Sequence, residues 1–211
     1  MTGFLLLAAV FVSGLSGLSL GDDGGDDLLP DPPNLVVVPE VLTQEACNEL
    51  IEMSEAHGWN MRVDSIDHYK KPSVDIYVLD KGIVLKPKFW RWMSPIVPRI
   101  KELVRKYSAD PDTFESSIDW VFIRKYSADV DTKRDALRGH RDTNEYTFIV
   151  PLNHNFEGGE LWFLRPSVEV DSESYNVPAE WPRKNTSAYF LPRIKGGEAI
   201  IYDNKVSHGY V

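Results

Sequence analysis

The second half of the chain contains a series of short apolar segments, each with the length of a β-strand and several separated by turn residues. In order from Ile118 onward, they are IDWVFIRKY, YTFIVPLN, ELWFL, SAYFLP and EAIIYD. β-Branched and aromatic residues are frequent in them, as they are in strands that pack against a core. So many strands in succession must pair with one another, which favours an all-β sandwich or barrel as the core of this half.

The first half of the chain shows helical patterns instead. Thr43 is a candidate N-cap for a helix that continues to Gly58, a residue type that commonly ends helices. A second helix is predicted after Pro98, and the alternating segment Ser73–Asp80 predicts a strand between the two helices. Helices followed by a run of strands predict an α+β fold.

The N-terminal segment differs in composition from the rest of the chain. Residues 1–21 contain an unbroken apolar run from Phe4 to Val12 followed by small residues, which is typical of a signal peptide, with an uncleaved membrane anchor as the alternative. The acidic, proline-rich residues 22–38 predict a linker. Asn185 begins an N-glycosylation sequon. We therefore expect a location in the secretory pathway, in the endoplasmic reticulum lumen or outside the cell, with membrane contact only if the anchor is retained.

A candidate metal site begins in the segment RGHRDTNEY, where one residue separates His140 from Asp142. On an extended strand these two side chains leave the same face and can reach one ion. An anionic oxygen combined with an imidazole nitrogen suits Fe(II). His208, which follows the predicted strand EAIIYD, is the candidate third ligand. Two histidines and one carboxylate on one face of an octahedron leave three positions open for a chelating cosubstrate and O₂.

The motifs around these residues resemble a known enzyme family. FIRKY, HRD, VPLN, FEGGE and KGGEAIIYD, with the histidine that follows, resemble the catalytic domain of the prolyl 4-hydroxylase and lysyl hydroxylase group of Fe(II)/2-oxoglutarate dioxygenases; the similarity runs from Val121 to Val211. It implies a double-stranded β-helix, or jelly roll, with the N-terminal helices packed on it, in a domain that spans residues 39–211. It also implies an enzyme that hydroxylates a prolyl or lysyl side chain of a protein and releases succinate and CO₂.

The resemblance assigns roles to individual residues and cofactors. His140, Asp142 and His208 are the implied iron ligands, Tyr126 lines the implied 2-oxoglutarate pocket, and L-ascorbate is the implied reductant for over-oxidised iron. In relatives, a basic residue roughly ten positions beyond the distal histidine pairs with the far carboxylate of 2-oxoglutarate. The printed sequence ends at Val211, so we expect the domain to be incomplete at its C-terminal end. Lys205 is the candidate substitute for the missing basic residue.

Charge narrows the choice of partner. The net charge of −9 argues against a nucleic-acid backbone as the main partner, because the phosphates would be repelled. The protein or peptide substrate that the resemblance implies is compatible with this charge. The alternative interpretation is a catalytically degenerate β-sandwich that binds a metal, a peptide or a glycan and lacks the 2-oxoglutarate anchor. Iron binding without 2-oxoglutarate-stimulated CO₂ release would favour that alternative.

Overall fold

The computed structural model describes residues 4–14, 35–63, 72–107, 116–127, 137–154, 160–164, 189–190 and 194–210. Within these ranges the chain forms a few helices and two sheets whose strand pairs are antiparallel. The predicted α+β class is thereby confirmed. Several sequence features lie outside the described residues: most of the predicted linker, the two glycines of the FEGGE motif, Gly158 and Gly159, and the sequon at Asn185.

The helices lie in the first half of the chain. They are α1 Gln44–His57, α2 Pro87–Met93, a 3₁₀ turn Ser94–Ile96 and α3 Val97–Tyr107.

The ends of α1 confirm the local sequence signals. Thr43 Oγ1 accepts a hydrogen bond of 3.1 Å from the backbone N–H of Ala46, and Gly58 ends the helix with φ of 79°. The helix predicted after Pro98 is confirmed as α3, and a further helix that was not predicted, α2, begins at Pro87. Proline suits the first position of a helix, and the side chains of Phe89 and Met93 are buried one turn apart.

The strands, in chain order, are β1 Phe4–Gly14, β2 Leu35–Val38, β3 Asn60–Val63, β4 Pro72–Asp80, β5 Ile83–Val84, β6 Ser116–Ser127, β7 Leu137–His140, β8 Tyr146–Pro151, β9 Leu161–Leu164, β10 Tyr189–Phe190, β11 Ala199–Asp203 and β12 His208–Tyr210. The larger sheet has the order β2-β11-β8-β1-β6-β4-β3, with β5 beside β4. The smaller sheet has the order β10-β9-β12-β7.

The apolar N-terminal segment forms a strand inside the larger sheet. β1 lies between β6 and β8, and its backbone register pairs Leu5 with Tyr126 and Leu7 with Pro151. The secretory location and the segment boundary at residue 21 stay predictions. In the part of the chain that the structure describes, no helix has both the length and the apolar character needed to cross a bilayer.

The predicted linker over residues 22–38 is wrong at its C-terminal end. Leu35–Val38 form β2, which pairs with β11 along its whole length, from Leu35 opposite Tyr202 to Val38 opposite Ala199. This segment, LVVV, follows the last proline of the run, so its backbone N–H groups are free to join a sheet. Its β-branched residues favour a strand.

Two apolar clusters hold the elements together, and β8 and β11 contribute to both. Phe148 and Ile201 belong to the larger cluster, which packs the helices onto the larger sheet. Ile149, Ile200 and Tyr202 belong to the smaller cluster, which also contains residues of β9 and β12. Successive side chains of a strand point to opposite faces, so both faces of β8 and β11 are buried. The smaller cluster lies where the two sheets meet, beside the predicted metal ligands.

Candidate metal centre

The smaller sheet brings the three predicted ligands together. His140 is the last residue of β7 and His208 is the first residue of β12, the antiparallel neighbour of β7. Asp142 Oδ1 lies 3.5 Å from His140 Nε2, and Asp142 Oδ2 lies 3.6 Å from His208 Nε2. Ligand atoms of all three residues fall within 4.8 Å of one another. These three side chains could hold a single metal ion.

The route by which Asp142 reaches the site differs from the prediction. A single extended strand through His140 and Asp142 is not formed, since β7 ends at His140 and Asp142 lies in the loop that follows. The spacing of two residues still leaves the carboxylate next to the imidazole. Its orientation comes from hydrogen bonds to neighbouring strands and not from the alternation of one strand.

Burial and mutual proximity set the protonation of the cluster. Burial first, and then the neighbouring His140, lower the pKa of His208 to about 4, so its imidazole is neutral at pH 7. Burial alone would raise the pKa of Asp142, but His208, His140 and a hydrogen bond from Thr147 outweigh it and bring the pKa well below its usual range. A neutral imidazole and an ionised carboxylate are the forms that bind a metal.

The hydrogen bonds of His208 orient its ring. Nδ1 lies 3.4 Å from the carbonyl oxygen of Val206, and a carbonyl can only accept, so Nδ1 carries the hydrogen. Nε2 then carries the lone pair and faces the cluster, where it lies 2.9 Å from Tyr202 Oη. A metal-binding histidine is held in this way, with one nitrogen on a carbonyl and the other toward the ion.

Two hydroxyl groups that were not predicted as part of the site form hydrogen bonds with the carboxylate of Asp142. Thr147 Oγ1 donates to Asp142 Oδ2 at 2.5 Å, and Tyr202 Oη reaches the same oxygen at 3.1 Å. Thr147 on β8 and Tyr202 on β11 are direct cross-strand partners. The sequence did contain a signal for both residues. Thr147 and Tyr202 each place a hydroxyl group in the otherwise apolar interior of a strand, YTFIVP and AIIYD respectively.

The close packing around position 209 explains why a glycine follows His208. A Cβ added at this position would lie 2.6 Å from Cζ2 of Trp162 and 2.7 Å from the carbonyl oxygen of Leu137. β12 is the middle strand between β9 and β7, and the Trp162 ring packs directly on the Gly209 backbone. The absence of a side chain therefore lets β12 carry His208 close to β7.

The two predicted cosubstrate contacts lie in different environments. Tyr126 is buried on β6, and its ring stacks on that of Tyr210 with centroids 4.5 Å apart. Lys205 lies in the turn between β11 and β12 with an exposed side chain, and its backbone N–H donates to Asp203 Oδ1 at 2.9 Å. The roles of Tyr126 and Lys205 toward 2-oxoglutarate stay predictions.

A buried ion pair lies on the same face of β6 as Tyr126. Arg124, two residues earlier, binds both carboxylate oxygens of Asp75, with distances of 2.6 Å from Nε and 3.2 Å from Nη2. The two residues are direct cross-strand partners on β6 and β4. The side chain of Arg124 is 12% exposed and that of Asp75 is 1% exposed. This pair connects the strand that carries Tyr126 to the outer part of the larger sheet.

No model of a known protein family matches the chain, and no curated protein sequence matches it. The candidate metal centre is therefore described from the chemistry of its own side chains. It consists of two imidazoles and one ionised carboxylate, brought together from β7, the following loop and β12 in a buried position.

Proposed function

We propose that this protein is an Fe(II)- and 2-oxoglutarate-dependent dioxygenase that hydroxylates a C–H bond. The observation that carries the proposal is the convergence of His140, Asp142 and His208 within 4.8 Å. Two histidines and one carboxylate are the donor set of the facial triad that binds non-haem Fe(II) and leaves positions open. Ca²⁺ and Mg²⁺ favour sites built from oxygen ligands, so this donor set suits a transition metal better.

The residues of the chain have distinct tasks in this proposal. Bound iron and 2-oxoglutarate supply the oxidising chemistry with O₂, which yields succinate and CO₂ together with the hydroxylated product. His140 and His208 offer nitrogen donors, and Asp142 offers a negative charge that partly neutralises the ion. Phe163, whose ring lies 5.9 Å from that of His208, is fully buried and helps to exclude water.

We also propose that the two sheets form a double-stranded β-helix. From β6 to β9 successive strands alternate between the larger and the smaller sheet. β10 stays beside β9 in the smaller sheet, and the alternation resumes with β11 in the larger sheet and β12 in the smaller one. The smaller apolar cluster, shared by both sheets, supports a packed interior between them. The two histidines then lie at the ends of strands of the smaller sheet, with Asp142 in the loop beside them.

The substrate class is proposed from the motifs. The resemblance of HRD, VPLN and KGGEAIIYD to prolyl and lysyl hydroxylases supports a prolyl or lysyl side chain of a protein as the target. The apolar N-terminal segment supports a substrate in the secretory pathway. L-Ascorbate enters the proposal on the same resemblance, as the reductant of the iron.

The test is turnover of 2-oxoglutarate by the purified protein. Succinate and CO₂ are measured with Fe(II), ascorbate and O₂, first alone and then with proline-rich and lysine-rich peptides. We expect Fe(II)-dependent succinate formation that His140→Ala and Asp142→Ala abolish and that His154→Ala, an exposed histidine, leaves unchanged. Undiminished turnover in the ligand variants would disprove the proposal. Metal binding without any succinate would favour the degenerate metal-binding module.

A further inference from the structure

Tyr202 and Thr147 form a pair of buried hydroxyl groups beside the metal centre. They face each other across the β11–β8 ladder, and each residue is 1% exposed. Both hydroxyls reach Oδ2 of Asp142, at 3.1 Å and 2.5 Å respectively. The other oxygen, Oδ1, faces Nε2 of His140 at 3.5 Å. Oδ2 in turn lies 3.6 Å from Nε2 of His208, so each oxygen is near one ligand nitrogen. The two oxygens differ in their hydrogen bonding, because the hydroxyls of Thr147 and Tyr202 both reach Oδ2.

Tyr202 has two acceptors but one hydrogen to donate. Its Oη lies 2.9 Å from His208 Nε2 and 3.1 Å from Asp142 Oδ2. His208 Nε2 carries a lone pair, because Nδ1 directs its hydrogen toward the carbonyl of Val206. The Tyr202 hydrogen can satisfy only one of these two acceptors at a time. A metal on Nε2 would occupy the lone pair of His208 and leave Asp142 as the acceptor for Tyr202.

We propose that Tyr202 is a positioning residue of the metal centre, which holds His208 Nε2 before a metal binds and donates to Asp142 Oδ2 afterwards. Together with Thr147, it then occupies Oδ2, so that Asp142 binds the metal through Oδ1 alone. This inference rests on the proposed function only to the extent that a divalent metal binds at the triad.

The consequence concerns the number of open coordination positions. A carboxylate that binds through both oxygens fills two positions, and with two histidines it would leave two of six for other ligands. A carboxylate that binds through one oxygen leaves three positions open, the number that a bidentate cosubstrate and O₂ together require. Tyr202 and Thr147 thus preserve the coordination position that the cosubstrate needs.

The experiment compares Tyr202→Phe, Thr147→Val and the double variant with the unaltered protein. Thr147→Ser is the matched control, since it keeps the hydroxyl that Thr147→Val removes. Each protein is titrated with Co(II), and affinity is read from the visible absorption bands. Metal-induced infrared difference spectra then report the separation of the two carboxylate stretching bands, with Asp142→Asn identifying the bands of Asp142.

We expect a wide band separation, typical of one-oxygen binding, in the unaltered protein and in Thr147→Ser. The separation should narrow in Tyr202→Phe and narrow further in the double variant, with Co(II) affinity lowered about 10- to 100-fold, the range for residues that support metal ligands. Circular dichroism checks the folding of every variant. If the double variant does not fold, Tyr202→Phe alone decides the outcome.

Two results are distinguishable. Co(II) affinity and carboxylate bands in Tyr202→Phe identical to those of the unaltered protein would overturn the positioning role and leave the metal centre intact. Absence of any Co(II) binding by the unaltered protein would instead refute the metal centre on which the proposed function depends, and this inference would be refuted with it.

Discussion

His208 lies directly opposite His140 across the β12–β7 ladder, with the centroids of the two imidazole rings 4.3 Å apart. Two imidazolium ions at this distance would repel each other in a buried site, and the proximity of His140 contributes to the low pKa of His208. β7 has four residues and β12 has three, so a short ladder defines the nitrogen donors of the centre.

Removal of any one ligand should abolish tight metal binding. We expect His140→Ala, Asp142→Ala and His208→Ala each to weaken Co(II) or Fe(II) binding by more than about 100-fold, since loss of a supporting residue alone costs 10- to 100-fold. Isothermal titration calorimetry measures the affinity. His154→Ala is the control, because His154 is exposed and outside the triad. Equal loss in the His154 variant would indicate that the effect is not specific to the centre.

The stability of the metal-free protein should fall as the pH decreases from about 6.5 to about 4. The unfolded chain protonates His208 near 6.5, whereas the folded chain resists protonation down to a pKa of about 4. The unfolded state therefore binds more protons in this window, and stability is lost as the pH falls through it. The difference between the His208 pKa values of the unfolded and folded chains corresponds to a loss of about 3 kcal/mol in the free energy of unfolding once the pH has fallen below the folded pKa.

Urea unfolding at several pH values, with a chelator present, tests this pH dependence. His208→Gln removes the titrating group and should flatten the curve between pH 4 and 6.5, although its stability at pH 7 will also differ. Asp142 titrates below this window, because its pKa lies well below the usual range. A slope in His208→Gln as steep as that of the unaltered protein would assign the pH dependence to other groups.

Gly209→Ala should weaken metal binding as well as stability. The added methyl group would meet Trp162 and the backbone of Leu137 and push β12 away from its neighbours, which moves His208 relative to His140. Gly82→Ala is the matched control: Gly82 has φ of 77° and open space around an added Cβ. The control should cost about 1–2 kcal/mol of stability from backbone strain and leave Co(II) affinity unchanged. Unchanged affinity in Gly209→Ala would contradict this account of β12.

Breaking the ion pair between Arg124 and Asp75 should destabilise the larger sheet. Arg124→Met leaves the carboxylate of Asp75, which is 1% exposed, without its guanidinium, and loss of one partner of a buried pair costs about 3–5 kcal/mol. The double variant Arg124→Met with Asp75→Asn removes the unpaired charge and should recover most of that loss. Chemical unfolding of the three proteins measures the difference. A double variant no more stable than the single one would show that the charge of Asp75 is not the source of the cost.

Local signals in the sequence were sufficient for the elements that depend on neighbouring residues. Thr43 and Gly58 bound α1 because capping involves atoms within one turn of the helix. Five strands, β6 and β8 to β11, were recognisable because β-branched and aromatic residues are frequent in them. The three-residue β12 was not predicted, since it is too short to show a pattern. The candidate donors His140, Asp142 and His208 were chosen from the sequence by their side-chain chemistry, their spacing and the motifs around them, and the structure brings the three together.

Only the tertiary structure decided which residues surround those donors. Tyr202 and Asp142 are 60 positions apart in the chain, and their contact exists because the register of β11 on β8 places Tyr202 opposite Thr147. The position of β1 between β6 and β8 likewise depends on backbone pairing with strands that are distant in the sequence. Capping and periodicity act over a few residues, whereas strand register is set by the packing of the whole sheet. The sequence by itself thus determined the candidate donors, and the fold determined their orientation and hydrogen bonding.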